Sequence, residues 1–403
     1  MHLALSPFGN IFSKSVMIFA NRKHSLYLHH LEATGGGTLR YIEYLASLSS
    51  KQIGFLLFDR REVQIEPLLG KVSGVEIKRA PRNLFCRILY VLVLTFIEFV
   101  NKRPNYVHAH SSISGLVVRL LQPFFGYRVI YTPHCYSFTY PNGMMKYAMY
   151  RLVEKVLALL GATTNLHVSI SDYLIGKQLS MRNPGVVIHS PFDWRKQPVD
   201  FRRAFDSNTV LLLGSDRPQK GYRILDRVAE EFQRSSPVMS VLVVGAQPFS
   251  HKVRCVPWQE DLDQFYANAF CMLNVSYSEG LSLSLIDALY VGLPVVAFDI
   301  PANRELLDNG CGILVEQRNA EDIAAAIFSL KQNFERYQML HQNGQQRALA
   351  HFSPKLFYRA YIRHYQQYGI ADVAIPEISS QDSRQNELKS LRPGHCSNPL
   401  PIF

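Results

Sequence analysis

Two doubly wound α/β domains facing one another across a cleft are what this sequence predicts, on three observations. Short β-branched and aromatic runs alternate with helix-length segments, the alternation restarts near residue 209, and an aperiodic polar stretch separates the two series. The first series comprises HSLYLHHL (24–31), IGFLLF (53–58), YVHAH (106–110), RVIYT (128–132), NLHVSI (165–170) and GVVIHS (185–190). The second comprises TVLLLG (209–214), SVLVVG (240–245), AFCMLNVSY (269–277), PVVAF (294–298) and GILV (312–315). Ligands of such parallel sheets bind beyond the carboxyl ends of the strands, so facing domains put the site between them. The expected division is an N-terminal extension (1–23), a first domain (24–190), a linker (191–208) and a second domain (209–346). A closing helix (347–371), with aromatics at helical spacing, and a polar, disordered tail (372–403) complete it.

At 403 residues and 47% hydrophobic composition, the chain has enough apolar material for two separate cores. Its net charge of +11 belongs to the first half, where 23 Lys and Arg in residues 1–200 meet 11 Asp and Glu. A basic half attracts anionic lipid, nucleic acid or a phosphorylated substrate. No zinc-finger, RRM or KH signature accompanies it, so nucleic acid is not expected as a partner. Cys86, Cys135, Cys255, Cys271, Cys311 and Cys396 form no CxxC pair, which favours a reducing cytoplasm and no structural metal. The first twenty residues lack the pattern of a secretory signal, and a cytoplasmic location follows as the expectation. The apolar stretch at 84–100 includes Arg87 and Glu98 and falls at the short limit for spanning a bilayer. It reads as a core helix or one that touches lipid, with Lys102 and Arg103 placed to suit the helix dipole and lipid phosphates.

The segment from Asn274 to Asp299 carries the most chemistry. It reads as strand, tight loop at Ser278–Leu281, helix from about Ser282 to Tyr290, stop at Gly292 and Pro294, then strand. Unbonded N–H groups of Ser282, Leu283 and Ser284 at the helix start would receive an anion such as a diphosphate. Glu279 in the loop and Asp287 on the helix offer acceptor oxygens that grip hydroxyl groups, one on a sugar and one on a ribose.

Here the chain resembles the family 4 retaining glycosyltransferases of the GT-B superfamily, whose hallmark is a Glu, seven residues and a second Glu. Ser278, Glu279, Gly280, Ala288, Gly292, Pro294, Val295 and Val296 match that context, while Asp287 replaces the second Glu. The resemblance implies that Glu279 approaches the donor sugar and Asp287 the ribose, with Gly280 and Leu281 in the donor loop. It extends to LLLGSDRPQKGYRILDRVAEEF (211–232), where Gly214, Lys220 and Gly221 match the family's Gly-Arg-x-x-x-x-Lys-Gly; Ser215 occupies the Arg position and Arg217 follows two residues later. Lys220 would stabilise the charge that grows on the phosphate oxygens as the glycosidic bond breaks. Thr34-Gly35-Gly36-Gly37-Thr38 is similar to the family's first glycine loop, which places Gly36 and Gly37 in the cleft. HAHSSISG (108–115) and YTPHCYSF (131–138) resemble a branch associated with bacterial surface polysaccharides, which implies His134 near the transferred sugar and His110 with Ser111 on the acceptor side. VVIHSPFD (186–193) departs from the family at His189, Ser190 and Pro191 and reads only as a hinge.

By this resemblance the first domain takes the acceptor and the second a UDP- or GDP-sugar. Transfer would retain anomeric configuration by front-face attack, with no metal, no cofactor and no protein nucleophile; Asp261-Leu262-Asp263 reads as solvated. A polyprenyl-diphosphate-linked glycan at the inner membrane face is the expected acceptor, met by peripheral membrane contact. Two other readings are a GT-B nucleotide-sugar epimerase and a non-catalytic nucleotide-sugar-binding assembly protein.

Overall fold

The computed structural model describes residues 26–32, 37–48, 50–59, 74–139, 143–159, 163–179, 185–316, 318–370 and 372–373. The expected extension and nearly all of the expected tail lie outside them, as do Thr34, Gly35 and Gly36. The first domain runs β1 (Tyr27–Leu31), α1 (Gly37–Ser47), β2 (Ile53–Asp59), β3 (Val75–Arg79), α2 (Leu84–Lys102), β4 (Tyr106–His110), α3 (Ser112–Phe125), β5 (Arg128–Thr132), α4 (Met144–Leu159), β6 (Thr163–His167), α5 (Ile170–Leu179) and β7 (Val186–Val187). After α6 (Phe201–Asp206), the second runs β8 (Thr209–Leu213), α7 (Leu225–Ser235), β9 (Ser240–Val244), β10 (Arg254–Val256), α8 (Asp263–Ala267), β11 (Cys271–Asn274), α9 (Leu283–Val291), β12 (Val295–Phe298), α10 (Pro301–Leu307), β13 (Ile313–Val315) and α11 (Ala320–Lys331). Helices α12 (Phe334–His351) and α13 (Pro354–Gln367) follow.

Both sheets are parallel, in the orders β3-β2-β1-β4-β5-β6-β7 and β10-β9-β8-β11-β12-β13. Strand order reverses between β1 and β4 in the first and between β8 and β11 in the second. Those are the two places where a doubly wound sheet opens a crevice. The loops there are the ones that carry the glycine, histidine, lysine and glutamate motifs.

Period-two alternation decides what each face of the first sheet packs against. Leu28, Leu56, Val107, Ala109 and Val129 face α2 and α3. Tyr27, Leu31, Phe55, Leu57 and Ile130 face α1 and α13, which contributes Phe357, Tyr358, Tyr361 and Tyr365. The last helix thus leaves the second domain and closes the core of the first.

Four expectations change. The closing segment is two helices, because the Ser353 side chain caps a new helix at Leu356 N and Pro354 cannot continue the old one. The linker holds a short helix, α6, begun by Asp200, whose carboxylate accepts from Arg202 N and Arg203 N. Two edge strands, β3 and β10, lacked an apolar run to announce them. Lys102 does not reach outward for lipid phosphate, since its Nζ is held by Glu76 at 2.7 Å and Glu98 at 3.0 Å.

Helix α2 is long and apolar enough to cross a membrane by length and composition. Yet Arg87 on it is buried in an ion pair with Glu32 at 2.8 Å, and Val91, Thr95 and Phe99 pack on the sheet side. Its opposite side, with Phe85, Leu89, Val93 and Phe96, is exposed.

Candidate active site

The loop after β8 and the loop after β11 bring Lys220 and Glu279 together. Lys220 Nζ donates to Glu279 Oε1 at 2.6 Å, and Ser276 Oγ donates to the same oxygen at 2.7 Å. Backbone geometry forces this meeting. Gly221 sits at φ +70°, and a Cβ there would lie 2.3 Å from the Val275 carbonyl oxygen, so only glycine lets the two loops touch. Gly214, at φ +128°, lies against the same lysine, whose Cε would be 3.6 Å from a Cβ at that position. Arg217 opens the one-turn helix Pro218–Lys220; it is partly exposed and its guanidinium has no partner among the described residues.

Helix α9 begins beside this pair, with Ser282 at its N-cap in an extended conformation and no side-chain cap. Its first-turn N–H groups, including those of Leu283 and Ser284, have no helical partner by position. A cation and an uncapped helix start at one crevice have the chemistry that suits an anion such as a diphosphate.

The opposite wall comes from the first domain. Gly280 packs so closely on the turn after β5 that a Cβ would lie 2.8 Å from Cys135 N and 2.9 Å from the His134 carbonyl carbon. Ser278 Oγ is 2.8 Å from Thr139 Oγ1, tying the Ser278–Leu281 loop to that turn. His134 and Cys135 both hold positive φ, 54° and 96°, which costs energy for non-glycine residues and marks a conformation imposed by its surroundings. The Asp172 carboxylate supports the turn by accepting from Cys135 N at 3.0 Å. Burial pushes Asp172 up to about 7. Gly37 is exposed at the start of α1, where a Cβ would lie 3.1 Å from Leu283 Cδ1. Leu281 is partly buried between the two cores and touches both.

Two expected site residues are employed otherwise. Asp287 is buried, ion-paired with Arg40 of α1, and its Oδ1 accepts from Asp193 N at 2.8 Å. Burial raises this carboxyl, and Arg40 and the Asp193 N–H pull it back. Both oxygens are committed, so Asp287 pins the first domain and the linker to the second instead of presenting free oxygens to a ribose. Arg40 was not foreseen, and nor was Glu305, which spans the domains by accepting from Ile170 N at 2.8 Å and pairing with His189 Nε2 at 2.7 Å. His110 does not line the cleft. It is fully buried, with one ring nitrogen 2.9 Å from His29 Nδ1 and the other 3.1 Å from His134 Nε2. Ser111 follows it at φ 77°, and its hydroxyl is buried with no partner among the described residues.

His29, His108 and His110 offer nitrogens that lie within 4.8 Å of one another, which is near enough for a metal ion. Their geometry suits mutual contact better. The His108 and His110 rings stack at 4.1 Å with 27° between planes, so their nitrogens lie side by side instead of converging. Tyr27 at 3.1 Å and Thr132 at 2.8 Å already take both nitrogens of His108. A divalent ion would put two positive charges among neutral rings and phenols, which burial penalises.

Comparison with known proteins places the fold among solved ones and matches part of the chain to a family. Residues 195–347 match the model of the family described as glycosyl transferases group 1. A Klebsiella pneumoniae protein described as an uncharacterized 41.2 kDa protein in the cps region is 22% identical over 300 residues, 66% of this chain and 82% of that one. Sucrose-phosphate synthase from Thermosynechococcus elongatus superposes with a TM-score of 0.71 at 19% identity, over 86% of this chain and 100% of that one. HepE of Anabaena, solved with UDP-glucose, superposes with a TM-score of 0.70 at 14% identity, over 85% of this chain and 100% of that one. The fold is GT-B, and residues 195–347 carry the resemblance to the glycosyl transferases of group 1.

Proposed function

We propose that this chain, related through residues 195–347 to the glycosyl transferases of group 1, moves a sugar from a UDP- or GDP-sugar to a lipid-linked glycan in polysaccharide assembly. The observation that carries the reading is the contact of Lys220 with Glu279 at 2.6 Å, beside the open start of α9 and opposite His134. On donor binding, Lys220 exchanges part of its contact with Glu279 for the diphosphate, and the freed carboxylate accepts from sugar hydroxyls. As the anomeric carbon–oxygen bond breaks, electrons pass to the phosphate oxygen, where Lys220 and the α9 N–H groups hold the charge. The acceptor hydroxyl attacks from the same face and gives its proton to that phosphate oxygen, so configuration is retained. The Lys220 cation and the helix start supply the positive charge without a metal. The HepE complex, in which UDP-glucose occupies the same fold, supports a UDP-sugar donor.

Thermal unfolding with a panel of UDP- and GDP-sugars tests this. A sugar nucleotide at a hundredfold excess over its Kd adds about 2.7 kcal/mol, a rise in Tm of several degrees. Unchanged melting across the panel, with no turnover of any donor, would remove the proposal.

The acceptor side rests on the outer surface of α2, α3 and α4. Phe85 is 77% exposed, Phe124 78% and Met144 88%, and Leu89, Val93, Met145, Leu152 and Leu159 extend the apolar area. Monomeric soluble domains rarely leave so much contiguous apolar surface open. Exposed Arg82, Arg103, Lys146 and Lys155 border it, as an anionic lipid surface requires. The purified chain is expected to float with vesicles containing phosphatidylglycerol. Phe85→Glu, Phe124→Glu and Met145→Glu together should lower binding about tenfold or more. A wild-type chain left at the bottom of the gradient would rule out membrane contact.

A further inference from the structure

A layer of histidines and tyrosines lies where the first sheet meets α13, in a position that a two-layer core ordinarily fills with aliphatic side chains. Three of its members form a line leading to the cleft. Tyr365 Oη on α13 is 2.8 Å from His29 Nε2, His29 Nδ1 is 2.9 Å from His110 Nε2, and His110 Nδ1 is 3.1 Å from His134 Nε2. His29, His110 and Tyr365 are fully buried, and His134 is the partly exposed end.

The geometry points to a directional hydrogen-bond chain in which Tyr365, on the closing helix, fixes the tautomer of the cleft residue His134, so that Tyr365, His29 and His110 are positioning residues for it. A neutral imidazole carries one N–H, so each of the two nitrogen–nitrogen contacts uses one ring proton and all must run in the same direction. Tyr365 sets that direction. Its hydroxyl has His29 as its partner among the described residues, and a buried hydroxyl hydrogen with no acceptor is penalised. Tyr365 therefore donates to His29 Nε2, His29 donates from Nδ1 to His110 Nε2, and His110 donates from Nδ1 to His134 Nε2. His134 is left with its proton on Nδ1, a neutral N–H donor at the cleft. Burial lowers His29 and His134 to about 3, which keeps one proton on each ring at neutral pH. The same helix that covers the first domain thereby controls what His134 can offer a substrate oxygen. The consequence for transfer rests on the function proposed above, whereas the chain itself does not.

Nitrogen-15-labelled histidine, read by long-range proton–nitrogen correlation at pH 7.5, tests the chain without any activity. His134 is assigned as the signal lost in His134→Gln. The expected result is a neutral His134 protonated at Nδ1 in the wild type, and a mixture of tautomers in Tyr365→Phe. Tyr361→Phe removes a buried hydroxyl from the same helix, one bonded to Tyr41 and outside the chain, and should leave His134 unchanged. Protonation at Nε2 in the wild type, an imidazolium at this pH, or one zinc per chain by elemental analysis would each overturn the assignment. So would a His134 tautomer equally affected by both phenylalanine variants, or by neither. In transfer assays Tyr365→Phe is expected to lower kcat about fivefold to tenfold with donor affinity unchanged. A wild-type chain with the expected tautomer but no transferase activity would sink the functional reading and leave the chain of hydrogen bonds standing.

Discussion

Lys220→Ala is expected to lower kcat for sugar transfer by about a hundredfold to a thousandfold while the protein stays folded. The reason lies in when the charge is needed. In the ligand-free site Lys220 is satisfied by Glu279, and Glu279 keeps a second partner in Ser276 at 2.7 Å once the lysine is removed. The loss therefore leaves no carboxylate stranded in an apolar core, and the fold survives. In the transition state the departing diphosphate carries more negative charge than in the bound donor, so kcat should fall further than donor affinity. Glu279→Ala is expected to reduce transfer as severely, by releasing the sugar hydroxyls and leaving Lys220 without its orienting partner. Steady-state transfer by both purified variants, with donor affinity measured by calorimetry, decides the matter. Wild-type rates in both would show that the chemistry happens elsewhere.

How far the sequence foretold this site depended on whether a residue's partners were close in the chain. YVHAH and RVIYT became β4 and β5 at the expected bounds, because buried parallel strands read as short apolar runs. The segment VEIKR escaped notice because an edge strand alternates with charge. The helix start at Ser282 and the neighbouring Glu279 were legible, since loop, cap and stop all lie within one segment. Asp287 was not, because the residue that engages it, Arg40, lies 247 positions away and nothing near either one announces the pairing. The histidine layer was half legible. Tyr27, His29 and Leu31 alternate onto one face, as do Tyr106, His108 and His110. What they face, Tyr361, His364 and Tyr365, comes from a helix more than 300 residues from β1, whose return to the first domain no local pattern dictates.

The histidines of that layer, with His30 on the other face of the sheet and His134 at the cleft, should make the protein acid-labile well above the pH at which carboxylates titrate. Burial lowers His29, His30 and His134 to about 3 and His364 to about 4, and it lowers His108 and His110 well below the ordinary imidazole value. The phenols of Tyr27 and Tyr365 and the hydroxyls of Thr95 and Thr132 that face these rings carry no charge that could compensate a proton. In the unfolded chain each imidazole titrates near 6.5. As pH falls through that value the unfolded state binds protons that the folded state refuses, so stability is complete only well above pH 6.5 and falls as pH drops toward the folded values. Each ring contributes about 1 kcal/mol of loss between pH 6.5 and 5.5. Six such rings sum to about 6 kcal/mol, the size of a whole domain's stability. Asp172, raised by burial to about 7, works the other way, gaining stability as pH falls from about 7 towards its unfolded value near 4. Glu43 and Asp287, also raised by burial, act in the same sense, which leaves three carboxyls against six rings. Glu98 and Asp193, both lowered by cationic neighbours against the opposing effect of burial, lose their contribution only below about pH 4.5 and lie outside this window. Urea unfolding at pH 7.5, 6.5 and 5.5 should show the midpoint falling over the first step and about three times as far over the second, with the first domain unfolding first because all six rings lie in it or in the helix that covers it. A midpoint unchanged down to pH 5.5 would mean that the rings reach water and that the buried layer, with the hydrogen-bond chain built on it, does not exist in solution.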